Sequence, residues 1–232
     1  LNWFEKYQLN DKYILQHSYK NEESKINGFL EDYAFAIEMY IKLYEVTFDE
    51  NWLDHAKSLL DYTQKHFLDK DSGMFFFTSD EDHSLIRRSI EVNDNVISAS
   101  NSIMAINLLK FHKLFPEEGY GDIAKQMLKN VQENFDETAQ GYANWLNLVL
   151  YENQNFYEIA ILGDDFKKLG KEISGNYLPN SILTGSKKDG SIELLQNRYV
   201  EGETFVYVCI EGTCKLPVTS SEAALKQIES FK

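Results

Sequence analysis

The sequence predicts a mainly α-helical fold: hairpins of amphipathic helices carrying β-hairpin insertions, closed by a small α/β tail. Three observations carry that prediction. In NGFLEDYAFAIEMYIKLYEVT, residues 27 to 47, the apolar positions Leu30, Tyr33, Ala34, Ile37, Ile41 and Tyr44 step by three or four, which makes one stripe on a helix and would scatter over both faces of a strand. A strand-like segment followed by a helix occurs at residues 11 to 47 and again from Met74 onward. After Asn155 the grammar changes to short apolar runs separated by a single amphipathic stretch.

In order, DKYILQHSYKNEESKI (Asp11 to Ile26) alternates loosely about a polar Asn/Glu/Ser turn and reads as a short hairpin leading into the first long helix. Glu31 and Asp32 stand in that helix's opening turn, where negative charge is favoured by about 0.3–1 kcal/mol per group. Asp49-Glu50 opens a second helix with Trp52, Ala56, Leu59, Leu60 and Phe67 inward, and the short link makes the two helices antiparallel neighbours. Met74 to Thr78 (MFFFT) reads as a strand, SDEDHS as a loop and Leu85 to Val92 as its return. A third helix starts near Ser98, with Ser98 or Ser100 as N-cap and Met104, Leu108, Phe111 and Phe115 as its stripe. Pro116 begins the next element, a fourth helix turns Ile123, Met127, Val131 and Phe135 inward, and a fifth, from Tyr142 to about Tyr151, buries Trp145, Leu146 and Val149. Recurring helix pairs of this kind are the signature of a helical-hairpin array. We place that region at residues 1–154.

Residues 155–232 form the α/β region. Phe156 to Leu162 is a strand, GDDFKKLGKEI a helix with Asp164 as cap, and Ser181 to Thr184 a second strand, together a βαβ-like unit. A helical piece at Ile192 to Leu195, a strand at Thr204 to Cys209 and a helix from Ser220 or Ser221 to Ile228 complete it. Leu1 is not Met, and LNWFEKY reads as the last turns of a helix, so a fragment of a longer chain is expected.

With 232 residues, 43% of them hydrophobic, the chain can bury a substantial core. Its net charge of -14 argues against a nucleic-acid partner, since phosphate binding needs Lys and Arg to displace counterions. No apolar run reaches the roughly 18–20 residues of a membrane span, and no signal-peptide pattern opens the chain. With two cysteines there is no secreted-type disulfide framework, and a cytoplasmic location is expected.

The glycine turn Gly163-Asp164-Asp165 puts acids where a phosphate needs bare N–H groups, so no nucleotide cofactor is expected. His17, His55, His66, His83 and His112 lack metal-site spacing, so no metal is expected either. The acids Glu31, Asp32, Glu91 and Asp94, and the amides Asn93, Asn95 and Asn101, fall where a hairpin meets a helix N-terminus. Arranged radially, these junctions gather at one end of a central cavity, where Glu31, Asp32 and Asp94 are candidate acid/base groups and Asn93 and Asn101 candidate hydroxyl-binding groups. Helix capping and hairpin-to-helix hydrogen bonding need the same residue types and stand as the alternative. Tyr33, Trp52, Phe75, Phe76 and Trp145 are either core or a sugar-stacking platform, Tyr33 and Trp145 being the candidate substrate contacts. Cys209 and Cys214 could close a small disulfide or act as a dithiol relay; alternatively Cys209 is a core residue of its strand and Cys214 packs under Pro217.

GFLEDYA at residues 28–34, the pair Asn101-Ser102, and Tyr207-Val208-Cys209 with Cys214, Leu216, Pro217 and Val218 resemble the C-terminal region of the spermatogenesis-associated, thioredoxin-domain-containing family, and the resemblance runs over essentially the whole chain. The family's usual proline after the match to Asp94 is here Ser98. The resemblance implies an N-terminal thioredoxin-like domain outside this sequence, followed by an α/α toroid similar to N-acylglucosamine 2-epimerases and six-hairpin glycosidases, of which this chain is the second half plus a tail. It carries over no catalytic residue. The expected ligand is a carbohydrate small molecule handled by acid/base chemistry; the rival is a non-catalytic scaffold serving the thioredoxin-like domain through Cys209 and Cys214. The missing half of the toroid is the expected partner, with self-association through the cut face as its substitute.

Overall fold

The computed structural model describes residues 1–82, 87–135 and 139–228. His83 and the first residues of the expected 85–92 return lie outside them. A short helix α1 (Asn2–Tyr7) leads to a minimal hairpin, β1 (Tyr19–Lys20) against β2 (Glu23–Ser24). Isolated bridges pair Leu9 with Leu15 and Gln16 with Asn27. Gly28 lets the chain re-enter closely: its N–H donates to Leu15 O at 2.8 Å, and a Cβ there would meet that oxygen at 2.9 Å.

The helices are α2 (Leu30–Thr47), α3 (Asn51–His66), α4 (Ser100–Leu114), α5 (Tyr120–Val131) and α6 (Ala143–Asn153). Every residue of the predicted α2 stripe is buried, and Ala36 and Tyr40 join it. Pairs α2/α3 and α4/α5 pack as hairpins, while α2 and α4 lie side by side. These two run in the same direction: Asn107 Nδ2 donates to Ala34 O, and farther along Lys110 sits in the field of Glu38, Lys42 and Glu45. Thirteen of the fifteen residues of α4 are buried, so it is the central helix and has no solvent face.

Several local expectations are corrected. Met74 to Thr78 is not a strand: only Phe75 forms a bridge, to Leu68. Its backbone groups are taken instead by the Asn101 side chain at Phe75, by Phe67 O at Phe76 N, and by Ser89 O at Phe77 N. The N-cap of α4 is Ala99 rather than a serine, and acids from the preceding loop supply the capping oxygens. On α6, Leu148 accompanies Trp145 into the core, with Leu146 and Val149 half-buried.

In the tail, β3 (Tyr157–Leu162), α7 (Phe166–Ser174) and β4 (Ser181–Ser186) make the βαβ unit, with β3 and β4 parallel. The N-cap position of α7 is Asp165, not Asp164, and its side chain makes no cap bond; instead its N–H donates to Thr204 Oγ1 at 3.1 Å. Strand β5 (Phe205–Ile210) runs antiparallel to β3 and β6 (Thr213–Cys214) antiparallel to β5, giving the order β4-β3-β5-β6. Helix α8 (Ser221–Gln227) is capped by Ser220 Oγ, which accepts from Ala223 N.

One face of this sheet packs Ile159, Ile161, Val206 and Val208 against α7 and α8. The other shares Ala160, Leu162 and Ile182 with the main helical core. Burial on both faces explains why β3 reads as an apolar run broken only by Glu158. Phe48 pins the layers together after α2: Gly170 and Gly185 leave room for its ring, and a Cβ on Gly170 would meet it at 2.5 Å.

Candidate functional site

Because α2 and α4 run parallel, their N-termini meet at one end of the molecule, and the loops feeding them meet there too. Asp32 Oδ2 accepts Phe29 N at 2.8 Å, closing the first turn of α2, and also takes His17 Nδ1 at 3.0 Å. Glu91 Oε2 accepts both the N–H and the hydroxyl of Ser100 at the start of α4. Glu31 is half-buried between these two acids. Its burial, followed by the negative charges of Asp32 and Glu91, holds its carboxyl above the usual glutamate range, with His17 pulling the other way.

Beside this carboxylate group lie two half-buried rings. Phe29 and Phe77 stack with centroids 4.9 Å apart, and His17 approaches Phe29 at 4.7 Å. Leu30 N donates to Phe77 O, so the second loop is tied to the start of α2. Arg88 fixes that loop from behind: its guanidinium donates to Thr78 O and His66 O and covers the Phe76 ring at 4.2 Å.

The other predicted site residues separate from this group by what they touch. Both oxygens of Asp94 are engaged: Oδ1 accepts Ala99 N, Ser102 Oγ and Asn144 Nδ2, and Oδ2 accepts Asn144 N. It therefore caps α4 and α6 together. Asn101 is fully buried, accepts Phe75 N and donates to Phe75 O and Glu91 O. Tyr33 is buried, accepts Leu15 N on its hydroxyl and stacks on Tyr62, and its burial pushes its phenol upward. Trp145 is buried and donates to Val92 O at 2.8 Å. Asn93 is exposed on the same loop.

Glu31, Asp32 and Glu91 are thus brought together, while Asp94, Asn101, Tyr33 and Trp145 hold the surrounding scaffold. His17, Phe29 and Phe77 escaped the sequence reading. Phe29, at the N-cap itself, was the legible one; no spacing links His17 or Phe77 to Glu31.

A cavity of about 730 Å³ lies elsewhere, between α4, α6 and the tail sheet, lined by His112, Lys113, Glu158, Glu193, Arg198 and Gly212 among others. There Lys113 and the buried Glu158 face each other at 3.7 Å, and Glu158 Oε2 accepts Gly212 N at 2.9 Å. Nearby, Cys209 and Cys214 are joined by a disulfide, so Cys214 is not an unpaired thiol packed under Pro217. No group of histidine, cysteine and acidic residues among the described residues could hold a metal ion, and none of the described helices is long and apolar enough to cross a membrane.

No family model matches the chain. Among solved structures it is similar to a GH76 α-mannanase of Bacteroides thetaiotaomicron, with a TM-score of 0.42 and 21% identity, covering 53% of this chain and 32% of that one. It is also similar to an uncharacterised protein of Caenorhabditis elegans, 28% identical over 112 residues, which are 48% of this chain and 15% of that protein. The longer matches are to spermatogenesis-associated protein 20 of Rattus norvegicus, 29% identical over 204 residues, and of Homo sapiens, 28% identical over the same length. Each covers 83% of this chain and 26% of that protein, so the chain resembles spermatogenesis-associated protein 20 along most of its own length while spanning about a quarter of its relative's.

Proposed function

We propose that the meeting point of α2 and α4 is an acid/base site for a carbohydrate-class small molecule. The observation that carries this reading is the state of Glu31: a half-buried carboxyl held above its ordinary range, with one further acid on its own helix and another delivered by the loop before α4. A carboxyl held above its ordinary range is a better-placed proton donor to a leaving or migrating oxygen than an ordinary one, and neighbouring carboxylates can accept a proton or stabilise developing positive charge. Glycosidic cleavage and epimerisation both require that division of labour.

In this reading Glu31 is the proton donor. Asp32, fixed by His17 and Phe29 N, is the accepting carboxylate, with Glu91 held by Ser100 beside it. Phe29 and Phe77 offer the apolar surface on which a pyranose ring packs, and Asn93, exposed on the loop before α4, is the hydroxyl-binding group of this reading. Asp94 and Asn101 act as positioning residues through the loop they anchor. Because the chain spans about a quarter of its relatives, the reaction of a longer protein is part of the same proposal.

The test is a thermal-shift panel of mono- and oligosaccharides and sugar phosphates on the full chain. A ligand at 100 times its Kd should stabilise the fold by about 2.7 kcal/mol. The expected result is an upward shift with at least one sugar in the wild type, lost in Glu31→Gln and in Glu91→Gln, and kept in Lys129→Ala on the exposed face of α5. A panel with no hit, or a hit unchanged by both substitutions, would refute it.

A further inference from the structure

We propose that the Cys209–Cys214 disulfide is an exchangeable bond, opened by thiolates that attack Cys214, and that its opening loosens the rim of the 730 Å³ cavity. The inference stands apart from the carbohydrate site and rests on different residues.

The two sulfurs are unequal. Cys209 is completely buried in β5, whereas Cys214 sits in the short edge strand β6 and is partly open to solvent. Approach therefore favours Cys214. The other sulfur has a cation on it: Arg198 Nη1 donates to Cys209 Sγ at 3.2 Å. That guanidinium is held in place by its own chain, since its Cζ lies 5.4 Å from the Tyr207 ring centroid and Tyr207 Oη donates back to Arg198 O. A positive charge in contact with a sulfur lowers the thiol's pKa, and a thiol of lower pKa is the better leaving group.

One group opposes this. Glu158 is the register partner of Cys209 across β3 and β5, and partners in an antiparallel pair project to the same face. Its charge is already shared between Lys113, at 3.7 Å, and Gly212 N, at 2.9 Å. Arg198, in direct contact, is the nearer influence.

The step balances as follows. A thiolate attacks Cys214 Sγ, a new S–S bond forms, the Cys209–Cys214 bond breaks, and its electron pair leaves on Cys209 as a thiolate against Arg198. A second thiolate, from the same dithiol or a second monothiol, then displaces Cys214. The products are an oxidised disulfide and the reduced protein, with two electrons transferred. The consequence is local and specific. The bond closes the turn Glu211-Gly212 between β5 and β6, and Gly212 is the residue that holds Glu158 toward Lys113 at the cavity wall. Reduction frees that turn while leaving the β3–β5 ladder in place.

The experiment uses the native full chain without denaturant. Excess monothiol, quenched with acid and mapped by peptide mass, should yield a mixed disulfide on Cys214. A dithiol should yield two free thiols, and hydrogen exchange at residues 210–213 should rise. Arg198→Met should slow opening several-fold, because a leaving thiol without the cation beside it leaves more slowly, and Arg198→Lys should restore most of the rate. Opening only in denaturant, an adduct on Cys209, or an unchanged rate in Arg198→Met would overturn the proposal. If Arg198→Met fails to fold, the site of the adduct and the Arg198→Lys rate still decide it.

Discussion

At the scale of single residues, two of the acids singled out at the helix junctions, Asp94 and Glu31, have opposite situations. Asp94 spends both oxygens on four donors, capping α4 and α6 at once. A cap is worth about 0.5–2 kcal/mol, so Asp94→Ala should cost roughly 1–4 kcal/mol by denaturant titration. Asn101→Ala should cost about 2–4 kcal/mol, because it strands buried partners at Phe75 as well as losing its own bonds. Losses under 0.5 kcal/mol at both positions would mean that these bonds do not carry the scaffold. Glu31 behaves differently. Its folded-state pKa is raised, so ionising it disfavours the native state. The stability present when Glu31 is protonated is lost as pH rises from the ordinary carboxyl range through the raised value.

At the scale of elements, the helices were legible because their stripes are long and periodic. Leu30, Tyr33, Ile37, Ile41 and Tyr44 need no tertiary information to be recognised as one face. The second insertion was not legible, because MFFFT has the composition of a strand while its hydrogen bonds go to Asn101, Phe67 and Ser89. Tertiary partners overrode local propensity there. The same blindness hid Lys110. On a helix as buried as α4 it has no solvent face to occupy; burial lowers its pKa, Lys42 lowers it further, and Glu45 and Glu38 only partly compensate. A depressed lysine pKa means that the folded state resists the charged form, so stability rises as pH climbs through the folded value toward the ordinary one. Lys110→Met should therefore stabilise the protein by roughly 1 kcal/mol at pH 7, with the gain shrinking toward pH 10. A destabilised Lys110→Met would show that the ammonium has a partner worth more than its desolvation.

At the scale of the whole molecule, the candidate site is a product of assembly. Glu31 and Glu91 are sixty residues apart, and what joins them is the parallel packing of α2 on α4 with the loop before α4 folded back over both N-termini. The sequence placed acids at each junction, but it could not distinguish the acid that is left half-buried from the one saturated by Asn144 and Ala99, because capping and catalysis draw on the same side chains. The cavity on the opposite side was invisible for a similar reason: Lys113, Glu158 and Arg198 come from three separate elements and meet only when the sheet docks on the helices. The state of Glu31 is thus a residue-level readout of a property of the whole fold. Its carboxyl can be followed by carbon-detected NMR through a pH titration of the full chain, in the wild type and in Glu91→Gln. The account predicts a midpoint above the ordinary glutamate range that falls when Glu91 loses its charge, together with a Glu31→Gln variant more stable than wild type at neutral pH and equal to it in acid. A Glu31 midpoint at the ordinary value, indifferent to Glu91, would contradict it.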